Sequence, residues 1–235
     1  ILFERTAAAM CTDLLDPREA LAKAGCGWQD AGAMWQESPS HSAMIIGLCD
    51  VLDHAGAKLA SEVAGRARHH LAHGCEYLLK TQEEAERRGH ARGALSHDLL
   101  GHEDAILPQN AMKAVVAWRR AARLLEPENA NLARRCRDGA KAALDWLATW
   151  ARPLGKHGFC HRQRGLPPET VIPADEWPTR DLLGLCWAGV ESYRDGDEAG
   201  RDIAVSAAGQ ILARQIAPEE AEAGYSGHFR EFASL

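Results

Sequence analysis

Apolar side chains recur along this chain with a period near 3.6, while strict apolar/polar alternation is almost absent, so the pattern predicts an all-α protein. A short helix is expected over 2–15, followed by an irregular Gly- and Trp-containing stretch over 25–39. Ser40 is placed to cap a helix whose face carries Met44, Ile45, Leu48, Val51 and Leu52 and which Gly56 ends. A third helix over 61–82 would bury Val63, Ala67, Leu71, Cys75, Leu78 and Leu79. The strongest stripe is Ala111, Ala114, Val115, Trp118, Ala122 and Leu125 in a helix over 110–126, closed by Pro127. Helices over 128–151, 176–193 and 198–216 complete the series.

Some connections are tight, as at 126–128 and Asp195-Gly196-Asp197, whereas others are long and chemically varied. The segment 86–108, with His90, His97 and His102, exceeds ordinary connection lengths and is expected to be either functional or mobile. Antiparallel helical hairpins with short turns at one end and long loops at the other describe a helical toroid as a single domain over 1–235, with function on the long-loop face. A helical solenoid would repeat a consensus about every 34–45 residues, and none recurs. The pattern offers about seven helices, which would leave a toroid half open with an exposed apolar wall, to be completed by further chain, an additional domain or a second copy.

Composition narrows the function. Lys and Arg number 27 against 33 Asp and Glu, a net charge of −6, which speaks against a nucleic-acid partner. The arginines 119, 120 and 123, and 134, 135 and 137, read as solvated helix faces balanced by nearby acids. No apolar run approaches the ~20 residues of a membrane span. The first residues show no basic segment followed by an apolar run, and secreted and cytoplasmic locations both stay open. Seven cysteines cannot all pair internally, and Cys49, Cys75, Cys136 and Cys186 sit at apolar helix positions as small hydrophobes. There is no nucleophile elbow and no phosphate-binding loop.

Cys26-Gly27-Trp28-Gln29-Asp30-Ala31-Gly32 resembles the Gly-Gly-Trp-x-Asp-Ala-Gly-Asp segment of glycoside hydrolase family 9, six-hairpin proteins that hydrolyse β-glucans and related saccharides. Glu76-Tyr77-Leu78-Leu79-Lys80, the Ala-rich helix 110–125, Asp175-Glu176-Trp177 and Tyr193-Arg194-Asp195-Gly196-Asp197 follow in the order of that family. The resemblance implies an (α/α)6 toroid, whose six hairpins of about 15 residues per helix need more chain than 235 residues, together with a carbohydrate substrate, no cofactor, and a positioning carboxylate at Asp30. It also places Ala33 where the family has its catalytic base, and no segment matches the family's late acid Glu. A zinc site from Cys160, His161, Cys26 and Cys186 would make the chain similar to a lanthionine cyclase. The order of its Cys elements is opposite and Arg162 stands where Gly belongs, so no metal is expected.

Glycoside hydrolysis by inversion needs an acid and a base about 6.5–9.5 Å apart. Asp30, between Trp28 and Trp35, is the first catalytic candidate, and Glu37 is the carboxylate that would take the base role that Ala33 cannot fill. Trp28, Trp35 and Trp177 are candidate sugar platforms, with His102, Glu103, Asp104, Asp175 and His228 as polar partners for hydroxyls. His41 and His161 are also read as loop residues, while Trp118, Trp146 and Trp187 are read as core. Three functions fit: a glycoside hydrolase, a non-catalytic carbohydrate-binding or interaction protein on the same toroid, and a sugar epimerase or lyase.

Overall fold

The structure is a computed structural model that describes residues 2–30, 35–153 and 176–216. Its regular elements are helices, and an antiparallel bridge pairs Ser96 with Ile106. Helix α1 (Leu2–Ala9) runs through a π-helical stretch (Met10–Leu15) into α2 (Asp16–Ala20). Three hairpins follow: α3 (Ser38–Ala55) with α4 (Ser61–Arg87), α5 (Pro108–Leu125) with α6 (Ala130–Thr149), and α7 (Thr179–Arg194) with α8 (Glu198–Leu212). Helix α3 packs on α5 and α5 on α7, while α4 and α6 flank this row. That is an arc of an inner and an outer layer, the all-α toroid wall that the periodicity predicts.

Local chemistry sets the boundaries. Pro39 falls in the first turn of α3, where its fixed φ suits a helix start, so the helix begins two residues before Ser40. Ser40 is thus not the cap, and its hydroxyl is released for other work. Asn129 caps α6 through a 3.1 Å bond from the Leu132 amide. Apolar contact continues to Ala85, which carries α4 beyond its expected end.

Helix α5 is apolar nearly all round, with Met112, Val115, Val116 and Trp118 buried on different faces, as befits a helix with neighbours on every side. The arginines of this helix are not a solvated face. Arg119 is 5% exposed and bonds Asp197 at 2.8 Å, while Arg123 reaches Glu191 at 2.7 Å and Asp195 at 2.8 Å. Arg120 pairs with Asp50 at 2.7 Å. The expected surface charges are therefore inter-helix clamps, because a helix enclosed by neighbours must satisfy its cations across packed interfaces. On α6, Arg135 pairs with Glu76 at 2.6 Å and Arg137 with Glu126.

Cys49, Cys75 and Cys136 are fully buried free thiols as expected, Cys186 is half-buried, and Cys160 lies outside the described residues. Trp118 and Trp146 are core, but Trp187 is 45% exposed and forms a stripe with exposed Leu183 and Val190 at helical spacing on α7. It was expected inside because its stripe was assumed to face the arc. The segment 88–107 is tied down, since the Ser38 amide donates to His97 O at 2.8 Å and the His97 amide to Ala105 O at 2.9 Å.

Candidate functional site

The loop leading into α3 is held from three sides. The Gln36 side chain accepts from the Ala24 amide at 2.8 Å and donates to Cys26 O at 2.7 Å, and the Tyr77 hydroxyl donates to Gln36 O. His41, expected in a loop, lies buried in the first turn of α3. Its Nε2 accepts the Trp28 amide at 2.9 Å while Nδ1 donates to Glu37 O at 2.7 Å. Burial pushes its pKa down to about 4, so the ring is neutral and its tautomer is fixed by these two bonds.

Asp30 follows directly. Its amide donates to Trp35 O at 2.8 Å, and its Oδ2 lies 2.8 Å from the Ser40 hydroxyl, which is also 2.9 Å from Glu37 O. One hydroxyl thus ties the Asp30 carboxylate to the main chain of Glu37 at the start of α3. Asp30 stands at the edge of a cavity of about 250 Å³ with an apolar wall of Leu14, Leu15 and Met44 and a polar wall of Arg18, Asp30 and Ser40. An apolar cleft with a few convergent polar groups is the usual form of a small-molecule site.

Beyond Glu37 the polar cluster continues. Glu37 Oε1 is 3.6 Å from Nε2 of buried His97, whose ring is 6.3 Å from that of His102. His102 Nδ1 lies 2.6 Å from Asp98 Oδ2, and Asp98 Oδ1 accepts the amides of Leu100 and His102 at 2.9 and 2.8 Å. Burial alone would raise the Asp98 pKa, but these bonds outweigh it and hold the carboxyl below its usual value. The Trp35 ring meets His102 edge-on at 6.1 Å and is 43% exposed.

The structure therefore gathers Asp30, Trp35, Glu37 and His102. Trp28 lines the cavity but is 4% exposed, stacked on His41 at 5.1 Å, so it serves as a wall and not as an open platform. Glu103 and Asp104 turn away to Arg88, at 3.7 and 3.0 Å, in a charged surface network with Glu84. Trp177 is half-buried against the core. Asp175, His228 and Ala33 lie outside the described residues.

Two groups escaped the sequence reading. The Asp98/His102 pair could have been found from its i,i+4 spacing. The second is Glu19 with His69, His70 and His73, reached through the Trp28 indole, which donates to His70 Nδ1 at 3.2 Å. The histidine spacing on one helix was visible; the distant glutamate was not.

No family model matches the chain, and no curated protein matches it. Solved structures share its fold. A metagenome-derived glycoside hydrolase family 9 endoglucanase is 20% identical with a TM-score of 0.54, over 78% of this chain and 35% of its own. An endoglucanase from the termite Nasutitermes takasagoensis is 13% identical with a TM-score of 0.57, over 80% and 45%. A thermostable endoglucanase from Alicyclobacillus acidocaldarius is 18% identical with a TM-score of 0.54, over 77% and 37%. The chain thus has the helical-hairpin fold of these proteins and spans between a third and a half of their length.

Proposed function

We propose that this chain carries part of a carbohydrate site and acts as a glycoside hydrolase on an oligo- or polysaccharide of the glucan type. The observation that carries the reading is the placement of Asp30. It sits at the edge of a cavity on the loop face, shares the Ser40 hydroxyl with Glu37 O, and is followed in space by exposed Trp35. The shared fold with family 9 endoglucanases supports the substrate class. In this reading Trp35 stacks on a sugar ring, His102 bonds a hydroxyl, and Asp30 or Glu37 orients the attacking water, the other carboxyl chemistry coming from outside these residues.

A second reading has its own observation. Ala33 stands where the resemblance puts the base and cannot accept a proton, which favours a non-catalytic carbohydrate-binding protein. Assay of the protein against β-glucans and aryl glycosides, with binding followed in parallel, separates the two. Released reducing sugar that Asp30→Ala abolishes supports the hydrolase. Retained binding with no turnover, unaltered by Asp30→Ala, supports the binding protein. An isomerised or unsaturated product seen by NMR would point instead to an epimerase or lyase.

A further inference from the structure

The segment 2–20 meets α4 through an unusual concentration of imidazole. Glu19, near the end of α2, faces three histidines of α4. His69 Nε2 lies 3.0 Å from both of its oxygens, His70 Nδ1 is 3.2 Å from Oε2, and His73 Nε2 is 3.7 Å from Oε1. One donor atom each from Glu19, His69 and His70 fall within 4.8 Å of one another. The rings of His69 and His73, one helical turn apart, stack at 5.7 Å.

From this geometry we propose that Glu19, His69 and His70 form a binding site for a divalent transition-metal ion of the zinc type, with His73 Nε2 beside it at 3.7 Å from Glu19 Oε1. Two donors each about 2.0–2.1 Å from a tetrahedral ion are about 3.3–3.4 Å apart, and Glu19 Oε2 lies 3.0 Å from His69 Nε2 and 3.2 Å from His70 Nδ1, close to that edge. Imidazole nitrogens with one carboxylate are the donor set zinc prefers when thiolate is absent.

The surroundings fit as well. A metal-bound imidazole usually gives its other N–H to a carboxylate. His70 Nε2 lies 2.8 Å from Asp16 Oδ1, and Asp16 is itself held by Arg66, so Nδ1 is the His70 nitrogen that faces Glu19. The Trp28 indole N–H already donates to this Nδ1 at 3.2 Å and must give way to the ion. Loading therefore moves the Trp28 contact. With three protein donors the ion would tie segment 2–20 to α4 beneath the Trp28 loop and keep one position for water.

The test is zinc titration of chelator-treated protein by calorimetry, with metal content by mass spectrometry and thermal unfolding with and without zinc. The expected result is one ion per chain, a rise in melting temperature on loading, and at least tenfold weaker binding in Glu19→Gln and in His69→Ala, whose side chain is largely exposed and not needed for folding. Cobalt should give a visible spectrum of a tetrahedral nitrogen/oxygen site without a thiolate charge-transfer band. Absence of binding in the wild type, binding unchanged in the His69→Ala/His73→Ala double variant with a native circular dichroism spectrum, or a cobalt–thiolate band would each overturn the proposal. Glycosidase assays play no part in this test, so its outcome is independent of the proposed function.

Discussion

Gly74 on α4 lies against the six-membered ring of Trp28, and a methyl group at position 74 would enter the space the ring fills and crowd Ile45 as well. The glycine is what lets the Trp28 loop sit down on α4. Gly74→Ala should therefore destabilise by about 1–3 kcal/mol, the overpacking term exceeding the ~1 kcal/mol that alanine gains in a helix. Gly65→Ala in the same helix, with nothing within 4 Å of the new methyl, should instead stabilise by about 0.5–1 kcal/mol. Chemical denaturation of the two variants should give opposite signs; equal signs would mean that Trp28 is not seated there.

Arg119 is enclosed by α5's neighbours and bonds Asp197 at the α7–α8 turn. Arg119→Ala leaves that carboxylate half-stranded and should cost about 3 kcal/mol, since breaking a buried pair exposes the desolvation of its survivor. The exposed pair Lys141 and Asp145 is the control, and Lys141→Ala should change stability by less than about 0.5 kcal/mol. Urea midpoints for both variants check the contrast.

What was legible in the sequence follows from these cases. The helices came through because each apolar stripe is local, and α5 was read correctly from Ala111 to Leu125. Arg119 was misread because a charge flanking an apolar stripe looks solvated unless the third neighbour of that helix is known. Trp187 failed the other way, its stripe facing outward on α7. At the candidate site, Asp30 and Trp35 were singled out from their loop, and the structure joins them through the Asp30 amide and Trp35 O at 2.8 Å. The Ser40 hydroxyl was assigned to capping, and only the earlier helix start beside Pro39 frees it for Asp30. Glu19 could not be joined to His69 from sequence, because 50 residues separate them and only packing of α2 on α4 brings them together.

His41 sets the acid limit of the fold. It is buried and neutral with a pKa pushed down to about 4, against an ordinary value near 6.5. The unfolded chain takes up its proton first as pH falls, so stability is full above about 6.5 and declines down to about 4. The loss over that window is about 3 kcal/mol from this group, and burial of His70 adds in the same direction. His41→Gln should be less stable at pH 7 but show a shallower decline between pH 6.5 and 4 in unfolding measurements. A parallel decline in both proteins would assign the acid sensitivity elsewhere.

Under the hydrolase reading, Ser40 is the residue that orients Asp30 without touching substrate, since its hydroxyl lies 2.8 Å from Oδ2. A hydrogen bond to a carboxylate contributes about 1.5–3 kcal/mol, so its loss should lower kcat by about ten- to a hundredfold while KM changes little. Ser40→Ala is the variant to measure, because alanine is a good helix former and should leave the melting temperature close to that of the wild type. Ser40→Thr, which keeps the hydroxyl, should restore much of the rate. If Ser40→Ala reduces stability and activity together and threonine does not rescue, the hydroxyl holds the first turn of α3 through Glu37 O, and Asp30 is positioned by the Trp35 contact instead.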